Sequence, residues 1–218
     1  DYSGGSVSLS ADGNTVAIGA TGTDGNGISS GHVRIYRRNL EGNWEQVGAD
    51  INGEAANDDS GSSVSLSADG SIIAIGATDN DSNGTDSGHV RIYQRKSNGY
   101  WEQVGADIDG EAPGDNFGTS ISLSADGSII AVGARRNDGN GTDSGHVRIY
   151  QRNGATHVWE QWEQVGADID GEAELNVSGE SVSLSANGST VAIGARRNDD
   201  NGTDSGHVRI YQRNSDGN

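Results

Sequence analysis

The sequence predicts an all-β fold, a β-propeller of four blades of about 57 residues or an arc of a larger propeller. Three observations predict it. A segment close to SVSLSADG recurs, each copy carries short runs of alternating apolar and polar residues, and Asp-Gly or Asn-Gly separates the first two runs. The segment starts at Ser6, Ser63, Ser120 and Ser181, so the spacings are 57, 57 and 61 residues.

We treat residues 1–218 as one tandem-repeat domain with units 1–57, 58–114, 115–175 and 176–218. The longer spacing reflects four additional residues near Trp159–Trp162, where Trp-Glu-Gln is written twice. Loops and strand ends tolerate insertions of this kind. The insertion therefore leaves the repeat pattern intact.

Each unit contains four strand candidates, which in the first unit read SVSLS, NTVAIGA, GHVRIY and WEQVGADI. Their period of two and their β-branched residues are typical of strands. One small sheet cannot bury its apolar face, so neighbouring units must cover it. Radial stacking gives a propeller. A β-solenoid is the alternative, although its coils are usually shorter.

The fourth unit stops at Asn218, where the first unit continues into Trp44 and its fourth strand. We therefore expect a last blade without its fourth strand, or a chain that is a fragment of a longer array. The chain shows no initiating Met and no signal peptide, which indicates a processed or partial sequence. An unpaired strand edge accepts other strands, so we expect self-association through this open blade edge.

The composition is acidic, with a formal net charge of −18. Such a surface repels phosphate backbones, so no nucleic-acid partner is expected. The chain has no cysteine, which excludes disulfides and thiol chemistry. No apolar run approaches the roughly 18 residues of a membrane helix, so no membrane insertion is expected.

The third unit reads FGTSISLS over residues 117–124 and IAVGA over residues 130–134. This resembles the FG-GAP repeat, which is named for Phe-Gly and Gly-Ala-Pro segments flanking two strands and which builds the propeller of integrin α subunits. The other units lack the Phe, and no unit keeps the Pro. The resemblance implies a propeller, ligand binding, adhesion, often calcium, and an extracellular or cell-surface location.

That family's calcium site lies between the first two strands, where this chain has only Ser-Ala-Asp-Gly, which is too short to wrap an ion. The DIDGEA segments are better candidates, because calcium prefers six to eight oxygen ligands on a compact loop. Their alternative interpretation is a solvated acidic loop with Asx turns. The candidate Ca²⁺ ligands are Asp50, Asn52, Glu54, Asp58, Asp107, Asp109, Glu111, Asp115, Asp168, Asp170 and Glu172.

The loop between the second and third strands is rich in Asp and Asn, which suits a cation, a sugar or hydrogen-bonded turns. It contains Asn-Gly-Thr sequons, which are candidate glycosylation sites in a secreted protein. These sequons begin at Asn83, Asn140 and Asn201.

One histidine opens the third strand of every unit, at His32, His89, His146 and His207. A ring of imidazoles could bind a metal. The alternative is that each histidine caps its own strand beside the acidic loop. The repeated Trp and Tyr residues suit packing at blade edges or, if exposed, stacking on sugar rings.

Every candidate acid, base and nucleophile recurs with the repeat, whereas an active site normally breaks such symmetry. We therefore predict that the chain is not an enzyme. The predicted function is a non-enzymatic extracellular interaction or structural module for adhesion or assembly, stabilised by calcium. The alternative is a glycan-binding propeller with one shallow site per blade. The expected partners are accordingly other protein chains or glycans.

Overall fold

The computed structural model describes residues 1–153 and 161–214. Over these ranges the chain folds into antiparallel strands arranged as four sheets, with no helix that is long and apolar enough to cross a membrane. Most of the predicted insertion, residues 154–160, lies outside the described residues. The prediction of an all-β propeller fold is confirmed.

Within the described residues, the first three blades have five strands each and the fourth has three. Blade 1 contains β1 (Ser3–Leu9), β2 (Thr15–Ala20), β3 (His32–Arg38), β4 (Trp44–Gln46) and β5 (Ile51–Asn52). Blade 2 contains β6 (Ser60–Leu66), β7 (Ile72–Ala77), β8 (His89–Arg95), β9 (Trp101–Gln103) and β10 (Ile108–Asp109). Blade 3 contains β11 (Phe117–Leu123), β12 (Ile129–Ala134), β13 (His146–Asn153), β14 (Gln161–Gln164) and β15 (Ile169–Asp170). Blade 4 contains β16 (Ser178–Leu184), β17 (Thr190–Ala195) and β18 (His207–Gln212).

The predicted fourth strand is split into two in each complete blade. In blade 1, β4 and β5 both pair with β3, through Tyr36↔Gln46 and Val33↔Ile51. Gly48 lies between them with φ +76°, a conformation that leaves the extended region. Both halves stay beside β3, at the outer edge of the same blade.

Successive blades approach closely at glycines of the second strand. A Cβ added at Gly19 would lie 2.1 Å from the carbonyl oxygen of Gly61 in the next blade. The Ser6 hydroxyl donates a hydrogen bond of 2.7 Å to the same oxygen. The small residues of the VAIGA segment are therefore required for blade stacking.

Each pair of neighbouring blades encloses its own apolar core. Ile35 and Ile73 belong to the core between blades 1 and 2, Ile92 and Ile130 to the core between blades 2 and 3, and Ile193 to the core between blades 3 and 4. The two end faces are uncovered by any described residue. On β1, Val7 and Leu9 are 64% and 61% exposed, and on β18, Val208 and Ile210 are 66% and 71% exposed. The described residues thus form an open arc.

Candidate metal centres between the blades

Each blade interface brings a histidine together with two carboxylates. The histidine opens the third strand of one blade, and one carboxylate follows β10 or its equivalents in the preceding blade, where the chain crosses the interface. The clusters are Glu54, His89 and Asp107; Glu111, His146 and Asp168; and Glu172, Asp200 and His207. In each of them the potential ligand atoms lie within 4.8 Å of one another.

The cluster between blades 1 and 2 surrounds a buried imidazole. His89 Nδ1 lies 3.8 Å from Asp107 Oδ2 and 4.0 Å from Glu54 Oε2. The His89 side chain is 1% exposed, and neither ring nitrogen has a hydrogen-bond partner among the residues that the structure describes. Buried polar atoms are normally paired, so this imidazole lacks a partner that a bound cation would supply.

Burial favours the neutral form of this imidazole. Desolvation, together with the nearby Arg91 guanidinium, lowers the pKa of His89 to about 4, although Asp107 opposes the shift. Burial also raises the pKa of Glu54, against the opposing effect of Arg91. At neutral pH His89 is therefore neutral, which is the form that binds metal ions.

The arginines beside the first two clusters neutralise different carboxylates. Arg91 Nη1 lies 3.3 Å from Glu54 Oε1, and Nη2 donates a hydrogen bond of 2.8 Å to the Asn52 carbonyl. In the next cluster Arg148 forms ion pairs with both carboxylates: Glu111 and, at 2.8 Å, Asp168. The first cluster therefore leaves more negative charge available to a cation than the second.

The other two histidines show how the cluster depends on its position. His207 contacts Glu172 at 3.5 Å and Asp200 at 3.6 Å, but Asp200 comes from a loop of blade 4. His32 has Asp50 at 4.0 Å, and this carboxylate is held by a bidentate bond from Arg34. Each cluster of the described residues contains a single histidine, so the four imidazoles lie in separate environments.

The structure divides the predicted calcium ligands between neighbouring interfaces. Asp107 faces His89, whereas Glu111, four residues later, faces His146. Asp58 caps a turn, because its carboxylate accepts the N–H groups of Glu54 and Ala55. Calcium in these segments stays a prediction, but the groups that could hold an ion are the mixed acidic and histidine clusters.

Several predicted ligands already have hydrogen-bond or ion-pair partners. Asp115 accepts hydrogen bonds from the Ala112 N–H and the Asn137 side chain, Asp50 pairs with Arg34, and Asp168 pairs with Arg148. Asp109 and Asp170 are exposed at the ends of β10 and β15, and Asn52 ends β5.

The sequence analysis did not predict that each of these histidines lies near the glutamate of the preceding unit. A signal was present, because Glu54 and His89 are 35 residues apart and the same spacing separates Glu111 from His146 and Glu172 from His207.

Two of the predicted glycosylation sites use their side-chain amides inside the fold. Asn83 Nδ2 donates a hydrogen bond of 2.9 Å to the Gly110 carbonyl, and Asn140 Nδ2 donates one of 2.9 Å to the Gly171 carbonyl. A glycan on either nitrogen would compete with the bond that joins these loops. Asn201 is exposed. Glycosylation of these residues stays a prediction.

Trp101 and Trp162 of the fourth strands pack between blades. Trp101 Nε1 donates a hydrogen bond of 3.0 Å to the Val47 carbonyl of the preceding blade, and Trp162 Nε1 donates one of 3.2 Å to Val104. The indoles therefore stabilise the blade interfaces.

Comparison with protein families supports this architecture. The family model for the FG-GAP repeat matches residues 107–150. The chain contains an FG-GAP repeat. The matched range covers the end of the second unit, β11, β12 and most of β13. It includes Asp107, Glu111 and His146. No curated protein matches the chain.

Several solved structures resemble this chain. A proposed 6-phosphogluconolactonase of Bacteroides uniformis is 15% identical with a TM-score of 0.62, covering 97% of this chain and 51% of its own. The periplasmic gluconolactonase of Pseudomonas aeruginosa is 20% identical with a TM-score of 0.58, covering 97% and 50%. Hydrazine synthase of Kuenenia stuttgartiensis is 15% identical with a TM-score of 0.53, covering 94% and 57%.

The chain thus spans about half the length of these structures. At these identities the likeness shows the fold. Two of the three neighbours are lactonases by name, which overturns the prediction of a non-enzymatic adhesion or glycan-binding module.

The argument from repeat symmetry was wrong for a physical reason. Residues of the same type differ in their surroundings, as Arg91 and Arg148 do, so a repeated sequence does not produce equivalent sites.

Proposed function

We propose that this chain is part of a metal-dependent hydrolase that opens a cyclic ester of the sugar-lactone class, with Glu54, His89 and Asp107 as the metal centre. The observation that carries the proposal is the buried His89 imidazole, which has no hydrogen-bond partner and faces carboxylates from two blades within 4.0 Å. The lactonases among its structural neighbours supply the reaction class.

The spacing of the cluster suits a small cation. Two ligands bound at about 2.1 Å in a tetrahedral arrangement lie about 3.4 Å apart, somewhat less than the 3.8 Å and 4.0 Å from His89 Nδ1 to Asp107 Oδ2 and Glu54 Oε2. Calcium prefers an all-oxygen set, whereas an imidazole with carboxylates suits Zn²⁺ or Mn²⁺. We therefore favour a transition metal, and calcium is the alternative that the titration below distinguishes.

A bound divalent ion would polarise the carbonyl group of the lactone and stabilise the negative charge that develops there. Arg91 adds a second positive group at the same place, because its guanidinium lies 3.3 Å from Glu54 and is 5% exposed. Burial keeps His89 neutral, so it does not repel a cation. The metal centre and Arg91 would bind the ester at the blade interface and stabilise the negative charge that develops on it.

The charge of the chain favours an uncharged substrate. A net charge of −18 repels phosphorylated sugars and lowers their local concentration at the site. We therefore propose a neutral sugar lactone over its 6-phosphate.

Metal binding provides the first test. The chelated protein would be titrated with Zn²⁺, Mn²⁺ and Ca²⁺ by calorimetry, beside the variants His89→Gln and Glu54→Gln. His32→Gln is the matched control, because His32 has one nearby carboxylate that is already held by Arg34. We expect the tightest site to disappear in the first two variants and to persist in the control. Equal binding by all variants would place the metal elsewhere.

Hydrolysis provides the second test. Ring opening of glucono-δ-lactone and of its 6-phosphate would be followed in a pH-stat and corrected for spontaneous hydrolysis. We expect the metal to accelerate hydrolysis of the neutral lactone, and we expect Glu54→Gln to abolish this acceleration. The Glu54 side chain is half-exposed, so its substitution leaves the apolar core intact. Metal binding without hydrolysis would reject the hydrolase while retaining the metal centre.

A further inference from the structure

The cluster between blades 2 and 3 has the same residue types as the proposed metal centre between blades 1 and 2. It consists of Glu111, His146 and Asp168. His146 Nδ1 lies 3.8 Å from Asp168 Oδ2, the same distance that separates His89 Nδ1 from Asp107 Oδ2. The eight residues that begin with the glycine before each histidine are also identical. The ligand set of the first interface is therefore present a second time.

The His146 imidazole is buried without the partners that a buried polar group normally has. Its side chain is 1% exposed, and Nε2 has no hydrogen-bond partner among the described residues. Nδ1 faces the Asp168 carboxylate at 3.8 Å, which is too long for a hydrogen bond. A cation between these two atoms would contact both of them, and neutral imidazole is a common metal ligand.

Arg148 lies between the two carboxylates of this second cluster. It donates two parallel hydrogen bonds to Asp168, from Nε at 2.9 Å and from Nη2 at 2.8 Å, and it forms an ion pair with Glu111. The oxygen that accepts from Nη2 is Asp168 Oδ2, which is also the oxygen that faces His146. A guanidinium group and a metal ion on the same oxygen repel each other, and partial burial strengthens the repulsion. Arg148 therefore takes the place of a metal ion at this interface.

Arg91 shows a second position for the same residue type. Its Nη2 donates a hydrogen bond of 2.8 Å to the Asn52 carbonyl of the preceding blade, and its guanidinium carbon lies 5.7 Å from the centre of the Tyr93 ring. In this position it pairs with Glu54 and does not bind Asp107. The arginine thus leaves the first cluster open and closes the second.

We infer that Glu111, His146 and Asp168 form a second metal site, which Arg148 keeps closed by acting as the built-in cation of that interface. With the metal centre proposed above, the wild-type chain holds one ion in these two clusters, and a variant without the Arg148 charge holds two. An imidazole with carboxylates suits Zn²⁺ or Mn²⁺. Binding at the second site does not depend on the reaction of the proposed hydrolase.

Calorimetric titration of the chelated protein with Zn²⁺ tests the role of Arg148. Arg148→Met keeps a side chain of similar length and removes its charge. We expect this variant to bind one ion more than the wild type, with a dissociation constant at least about tenfold below that of any second wild-type site. Equal numbers of ions in the two proteins would overturn the inference.

Two further variants locate the added ion. Arg148→Met combined with Glu111→Gln should lose it, because a ligand of the second cluster is then missing. Arg38→Gln is the matched control, since it removes the charge of an exposed arginine at the end of β3 and should leave the number of bound ions unchanged. An added ion that persists in the double variant, or that also appears in the control, would contradict this site.

Mn²⁺ broadening of the histidine NMR signals tests the wild-type chain, so the result does not depend on the folding of a variant. A paramagnetic ion broadens the signals of the imidazole that binds it. We expect low Mn²⁺ concentrations to broaden the His89 signals and to leave those of His146 sharp, and we expect both to broaden in Arg148→Met. Broadening of His146 in the wild type at the same Mn²⁺ concentration would overturn the inference. If His89 stays sharp and His146 broadens only in the variant, the proposed hydrolase centre fails and the second site stands.

Discussion

Blades 2 and 4 share the segment HVRIYQR and place it in very different surroundings. Val90 and Ile92 of blade 2 are 0% and 1% exposed, whereas Val208 and Ile210 of blade 4 are 66% and 71% exposed. The strands pair with their neighbours in the same register in both blades. The comparison teaches that burial in this fold comes from the adjacent blade and not from the local sequence.

The polar clusters follow the same rule. His89 of blade 2 is 1% exposed, and His207 of blade 4 is 19% exposed. The second carboxylate differs too, since Asp107 precedes an outer strand and Asp200 belongs to a loop. A covered interface is therefore needed to produce the buried, neutral imidazole on which the proposed metal centre depends.

The largest expected difference between these blades concerns their apolar faces. Ile92→Ala should lower the free energy of unfolding by about 3 kcal/mol, because it opens a cavity in a packed core. Ile210→Ala should cost less than about 0.5 kcal/mol, because its side chain is exposed. Urea denaturation of both variants measures this difference. Similar losses would mean that the outer face of blade 4 is covered in solution.

A smaller difference is expected at the glycines of the second strand. A Cβ at Gly76 would lie 2.4 Å from the Gly118 carbonyl oxygen of the next blade, whereas a Cβ at Gly194 would meet only the Ser181 side chain closely. Gly76→Ala should therefore cost about 1–3 kcal/mol through overpacking. Gly194→Ala should cost less, since a hydroxyl can rotate away. Thermal denaturation compares the two, and a more harmful Gly194→Ala would reject the stacking argument.

The smallest difference is expected at the first hairpin turn, where blade 3 has Asp126 and blade 4 has Asn187. Hydrogen bonds from the Ser124 hydroxyl and from Ser128 lower the pKa of Asp126 below its usual 3.8. Because the folded-state pKa is depressed, the stabilisation is fully present above the ordinary carboxyl pKa and is lost as pH falls through the lower value. Asn187 has no proton to bind in this range.

Wild type and Asp126→Asn should therefore converge in stability as the pH drops below about 4. The urea midpoints of the two proteins, measured against pH, check this. A constant difference across the acidic range would show that the turn carboxylate is not the titrating group.

Local physical chemistry explains why so much of the fold was predictable. Alternation in SVSLS and HVRIY reports which strand face is apolar, and Asp-Gly or Asn-Gly marks the first hairpin. The split of the fourth strand escaped prediction, because WEQVGADI reads as one run and Gly48 interrupts it through a positive φ. The prediction about catalysis failed because sequence identity between units was taken as equivalence of their sites.

The sequence by itself determined the repeat, the strand order within each unit and the glycines at which the blades meet, since these depend on periodicity and side-chain size. Only the tertiary structure decided which copies are buried and which glutamate meets which histidine. The reason is that coverage and charge compensation come from the neighbouring blade. His89 lies near Glu54 of the preceding blade and near Asp107, which Arg91 does not bind, whereas the carboxylate near His32 is held by Arg34.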